Sequence, residues 1–157
     1  MQMLQKWTLA VFMLLCLTGR ALTQTPPNFS GTFSFVPANS REAAVVGTVE
    51  IKQTATTVQI TRTVGGKPNV ENYTLDGSPI EWKTNTGIPI KASANWHGSE
   101  LWLDSIATLL VNGHTVPLHS TEQWQLSKDS DTITIRTKSD APNMPSQVYV
   151  HDYKRIK

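Results

Sequence analysis

The chain has one cysteine, Cys16, among its 157 residues. That residue lies in an N-terminal apolar run, so no disulfide can staple the rest, which must hold together by its core. Beyond that run no apolar stretch is long enough to span a bilayer. An excess of one charge sign is missing as well. The 14 basic residues include Lys6 and Arg20 of the N-terminal segment; without them 12 remain against 12 acidic ones. A balanced body lacks the electrostatic footprint of a nucleic-acid binder. Catalytic signatures are equally scarce, with no Gly-x-Ser-x-Gly elbow and no glycine loop to cradle phosphate. The histidines are His97, His114, His119 and His151. His114 and His119 are separated by an odd number of positions, which puts them on opposite faces of a strand and denies them a shared metal. These absences argue against an enzyme and imply neither metal nor cofactor.

What the N-terminus does have is an address. Lys6 is followed by the apolar run Trp7 to Leu17, broken only by Thr8. That is the length of a signal-peptide core and too short for a membrane span. Cleavage after Ala21 or after Thr23 fits equally. Leu14 and Leu15 precede Cys16 where lipidation favours a small residue, so the cysteine is expected to leave with the signal. Residues 1–24 are thus expected to be a signal peptide, and residues 25–157 a single domain, secreted or periplasmic.

From Thr25 onward the chain alternates apolar and polar residues with period 2, and the helical period is nearly absent. Phe33 and Phe35 share a face, as do Val49 and Ile51, Val58 and Ile60, and Tyr73 and Leu75. The same holds for Ile90, Ala92, Ala94 and Trp96, for Trp124 and Leu126, and for Ile133 and Ile135. Turn signals separate these runs: Gly65-Gly66, Asp76-Gly77-Ser78-Pro79, His97-Gly98-Ser99, Asn112-Gly113, Lys128 to Asp131 and Pro142 to Pro145. Asn-Gly between apolar strands is the favoured two-residue hairpin turn. A helical turn is expected only at 38–44. The pattern predicts an all-β protein, an antiparallel up-and-down meander of 8–10 strands. Closing the meander into a barrel buries its apolar face and removes its edges; a β-sandwich is the alternative.

The stretch Asn28-Phe29-Ser30-Gly31-Thr32-Phe33 resembles the first-strand signature of the lipocalin family, Gly-x-Trp. It is closer still to small exported bacterial proteins described as lipocalin-like. Tyr73-Thr-Leu-Asp-Gly77, Glu122-Gln-Trp-Gln-Leu-Ser127 and Thr132-Ile-Thr-Ile-Arg136 resemble the same group, so the likeness spans most of residues 25–157. The resemblance implies a barrel with a general binding role and no named ligand. It also implies closure of the barrel base by an arginine after the last strand, packed on the ring behind the glycine. Here those residues would be Arg155, Phe33 and Gly31, with Phe33 standing where the family has Trp.

The inward phase supplies the ligand-binding candidates. Ala92 and Ala94, between Ile90 and Trp96, leave room in the lumen. Tyr73, Trp82, Trp96 and Trp124 would line it, as aromatics commonly line sites for small apolar ligands. The other reading is that these rings simply fill the barrel. Arg62 and Glu122 also fall on apolar phases, where a charge is costly unless it is paired or near a mouth. One reading seats both in water at a barrel end. The other makes Arg62 the anchor for an anionic head such as a fatty-acid carboxylate. The apolar hairpin 109–118 suggests a lid or a contact surface. The expected function is an exported, non-enzymatic carrier of a small hydrophobic ligand. The alternative is an interaction module with a filled barrel, acting through its loops and that hairpin.

Overall fold

The computed structural model describes residues 25–38, 47–84 and 86–156. Ten strands follow one another: β1 Gly31–Val36, β2 Gly47–Gln53, β3 Thr57–Val64, β4 Lys67–Thr74, β5 Ile80–Lys83, β6 Pro89–His97, β7 Glu100–Val111, β8 His114–Leu126, β9 Thr132–Asp140 and β10 Gln147–Arg155. The expected signal segment and nearly all of the expected helical turn at 38–44 lie outside the described residues. No helix among the described residues is long and apolar enough to cross a membrane.

The strands form one antiparallel sheet in the order β4-β3-β2-β1-β10-β9-β8-β7-β6-β5. Every neighbour but one is a neighbour in sequence, as short connections dictate. The exception is β1 with β10, where Phe33 faces Arg155 and Phe35 faces Tyr153. That pairing curls the meander round, and β4 and β5 approach each other as the two edges of a nearly closed barrel. Near one end the seam between them is tied. Asp76 bridges to Asn95, the Gly77 amide donates to the Ala94 carbonyl at 3.0 Å, and Tyr73 meets Trp82 edge-on at 5.8 Å.

The turns have the backbone that their residues permit. Asn112 and Gly113 take φ values of 51° and 80°, and Gly65 and Gly66 take 56° and 75°. Two consecutive positive φ values match the right-handed twist of the strands on either side. These two tips lie at the same end of the barrel, the mouth; the ends of β1 and β10 near Gly31 and Arg155 form the base.

The alternation determines what faces inward. Phe33, Val49, Ile51, Val58, Ile60, Tyr73, Ala94, Leu101, Leu103, Trp124, Ile133 and Ile135 are buried in one core that fills the base half of the lumen. Phe29, upstream of β1, plugs it from below. Its ring is buried against Trp96 at 5.8 Å, and its amide donates to Gln53 Oε1 at 2.9 Å. Arg155 closes the same end. Its guanidinium carbon lies 4.4 Å from the Phe33 ring centroid, while Nη1 donates to the Ser30 carbonyl and Nε to the Ser130 carbonyl, both at 2.8 Å.

Candidate functional site

Above the filled half, the inward phase changes character. Arg62 on β3, Asn69, Glu71 and Tyr73 on β4, and Glu122 on β8 converge from different walls. Strand alternation puts each of them inside: Arg62 follows Val58 and Ile60, Glu122 precedes Trp124, and Glu71 precedes Tyr73. Register then brings them level, because β2 aligns Val49 with Arg62 and β3 aligns Arg62 with Asn69.

The Arg62 guanidinium is shared between two carboxylates. Nε donates to Glu71 Oε1 at 3.1 Å, and Nη2 donates to Glu122 Oε2 at 2.8 Å. Glu71 also accepts from Asn69 Nδ2 at 3.1 Å and from the Tyr73 hydroxyl at 2.9 Å. Trp124 donates its indole N–H to Glu122 Oε2 at 2.7 Å and lies beneath Arg62, whose guanidinium carbon is 5.1 Å from the ring centroid. Burial works against the Arg62 charge, but Glu122 and Glu71 outweigh it, so the guanidinium is held protonated even more firmly than usual. Burial, reinforced by the Glu71 carboxylate, holds the Tyr73 phenol well above its ordinary range, so it remains a donor. Two carboxylates around one guanidinium leave the cluster short of one positive charge.

This cluster borders a cavity of about 260 Å³, lined also by Trp82, Thr84, Ile90, Leu103 and Ser105. It sits beside the seam, since Asn69 and Glu71 belong to one sheet edge and Trp82 to the other. Towards the mouth the inward positions of β7 and β8 become apolar: Ala107 faces Leu118, and Leu109 faces Val116. The lumen therefore offers a polar floor and an apolar upper wall.

The sequence-derived candidates divide accordingly. Arg62, Tyr73, Trp82 and Glu122 line the cavity, and Trp124 supports its floor. Ala92, Ala94 and Trp96 do not line it. Both alanines are buried in the core, and Trp96 packs on Phe29. Gly31, Phe33 and Arg155 form the closed base. Of the two readings of Arg62 and Glu122, the one that seats both in water at a barrel end does not hold, because they pair with each other inside the lumen at 2.8 Å. Asn69 and Glu71 were not among the expected residues, although extending the Tyr73 alternation backwards would have placed both of them inward.

No protein-family model matches the chain, and no curated protein matches it in sequence. Solved structures do match in shape. The REP1-NXSQ fatty acid transporter aligns with a TM-score of 0.57 at 14% identity, over 82% of this chain and 96% of its own. Lipid binding protein 8 of Caenorhabditis elegans aligns with a TM-score of 0.57 at 10% identity, over 82% and 95%. The fatty acid binding protein of Schistosoma mansoni, solved with arachidonic acid, aligns with a TM-score of 0.57 at 13% identity, over 85% and 99%. The shared fold is an antiparallel β-meander barrel. At these identities the likeness is one of architecture: an antiparallel meander wound once around a lumen.

Proposed function

We propose that this protein is an exported, non-enzymatic carrier that holds a small apolar molecule in the upper half of its barrel. The observation that carries the proposal is the cavity of about 260 Å³ inside the lumen, with a hydrogen-bonding floor and with Trp82, Ile90 and Leu103 in its lining; towards the mouth the inward positions of β7 and β8 are apolar. A pocket largely enclosed by apolar side chains, with a few polar groups placed to orient the occupant, is the usual form of a small-molecule site. Proteins of the same architecture bind fatty acids and lipids, which favours a ligand of that general class. Export rests on the apolar run Trp7 to Leu17 and the small residues after it.

The cavity lining includes Trp82, so intrinsic fluorescence is the direct assay. Titration with medium-chain apolar molecules should give a saturable change that is reduced in Trp82→Phe. Absence of a saturable change across such a panel, together with a crystal structure showing the lumen filled by side chains, would remove the carrier reading. Export is tested separately by sequencing the N-terminus of protein recovered outside the cytoplasm. Recovery of the protein only from the cytoplasm would reject export, and an intact Met1 on exported protein would reject cleavage of the signal.

A second reading has one observation in its favour. Leu110 is 77% exposed at the tip of the β7–β8 hairpin, beside the exposed Val111. Such a tip suits contact with another surface. If contact is its role, Leu110→Ser with Val111→Ser should leave ligand titrations unchanged and reduce self-association or surface adsorption.

A further inference from the structure

The charge of the cavity floor bears on which ligand head it accepts. This deepens the carrier reading and rests on it. A cavity with a free guanidinium would suit a carboxylate. This one has no guanidinium to spare: Arg62 is paired on one side with Glu71 and on the other with Glu122. An incoming carboxylate would bring a third negative charge to a single positive one, in surroundings where water screens poorly. It could win Arg62 only by displacing a glutamate and leaving that charge unpaired.

The glutamates differ in what they can still accept. Glu71 is the more enclosed, with a side chain 7% exposed and three donors already upon it. Glu122 is 20% exposed and lies in the cavity wall. Both of its donors, Arg62 and Trp124, converge on Oε2. Among the described residues, its Oε1 accepts no hydrogen bond. The neighbouring Ser105 hydroxyl makes only a long contact, 3.4 Å to the Ser120 carbonyl, and can turn towards an occupant.

We infer that the lumen selects apolar molecules whose head donates a hydrogen bond, a hydroxyl or an ammonium, and discriminates against carboxylates. The head donates to Glu122, and the tail runs towards the mouth along Ala107, Leu109, Val116 and Leu118. A hydroxyl meets an open acceptor at no cost in charge. An ammonium also supplies the positive charge that the cluster lacks. Arg62 is then a positioning residue, which holds the two carboxylates at fixed places instead of grasping the ligand.

The test compares three probes of equal chain length, 1-decanol, decylamine and decanoate, on the full domain at neutral pH, by tryptophan fluorescence and by calorimetry. Decanol and decylamine should bind, and decanoate should bind at least about tenfold more weakly, as expected of one uncompensated like charge at low effective dielectric. Glu122→Gln removes that charge but keeps the shape, so the ratio of decanol to decanoate affinity should fall by about tenfold. The wild-type ranking needs no variant to fold, so the inference stays exposed to refutation even if Glu122→Gln is unstable. Decanoate binding as tightly as decanol to the wild type would overturn the inference and leave the carrier reading standing, as would a ratio unmoved by Glu122→Gln. Binding of none of the three would overturn the carrier reading, and this inference with it.

Discussion

Replacing Gly31 with alanine should unlatch the base of the barrel, and the loss can be worked from the local geometry. Gly31 has a φ of 145°, which side-chain-bearing residues rarely adopt, and a Cβ there would lie 1.9 Å from Arg155 Nη1. The guanidinium would have to move. It would give up its seat over Phe33 at 4.4 Å and its hydrogen bond to the Ser30 carbonyl at 2.8 Å. A cation on an aromatic face contributes about 0.5–2 kcal/mol, and a charge-assisted hydrogen bond about 1.5 kcal/mol where it is partly exposed. The unfavourable φ adds about 1–3 kcal/mol. Gly31→Ala should therefore cost roughly 3–6 kcal/mol, which is of the order of half the stability of an ordinary domain. Arg155→Ala loses the contacts without the backbone strain and should cost about 2–4 kcal/mol.

The double variant is the decisive measurement. Once Arg155 is gone, alanine at 31 has nothing to displace, so the double should be about as unstable as Gly31→Ala alone. Urea unfolding followed by tryptophan fluorescence gives all the required values. If the double instead loses the sum of the two single losses, within about 0.5 kcal/mol, then Gly31 is not making room for Arg155 and the reasoning fails.

Other outcomes are expected elsewhere in the barrel. Phe29→Ala removes the buried plug and should cost about 3–5 kcal/mol in the same unfolding assay; a loss below about 1 kcal/mol would mean that the ring is not part of the core. Arg62→Met leaves two enclosed carboxylates without their cation and should cost about 3–5 kcal/mol. Adding Glu122→Gln to it should restore part of that loss, whereas further destabilisation would contradict the shared-guanidinium arrangement. The Tyr73 and Tyr153 phenols are both held above their ordinary range, chiefly by burial. The unfolded chain releases these protons near pH 10 while the fold retains them. Their contribution is therefore intact below about pH 10 and is lost as pH rises further, by up to about 1.4 kcal/mol per unit per tyrosine. Urea midpoints between about pH 9 and 11.5 should fall, and less steeply in Tyr73→Phe; an unchanged slope would refute the assignment.

Much of the barrel was legible because strand alternation is a local property. Val58, Ile60 and Arg62 had to share a face whatever lay opposite, and Asn112-Gly113 had to turn. The interior was less legible, because it depends on what meets across the lumen. Arg62 and Glu122 are 60 positions apart and on strands that are not neighbours, so their pairing follows from barrel closure and not from any spacing. The alanines at 92 and 94 suggested empty space, since nothing in a strand pattern announces that a ring from outside the meander will fill it. Phe29 is such a ring, buried against Trp96 in the same core. It belongs to no alternating run, and its burial depends on the Gln53 side chain, which accepts from its amide and donates to the Pro27 carbonyl at 3.1 Å. Departure from the lipocalin pattern at Phe33 left the closure unaltered in kind, because a guanidinium needs only an aromatic face beneath it.

The tether of Phe29 to Gln53 also governs how the protein could be held by something else. Residues 27–29 are bound to the base end of β2, and at the other terminus the Ile156 amide donates to the Thr32 carbonyl at 2.8 Å, at the foot of β1. Both described ends of the chain thus leave from the same pole, opposite the hairpin tips. A linker, tag or surface attachment at either end would grip the barrel by its foot and leave the rim facing away from the support, open to solution.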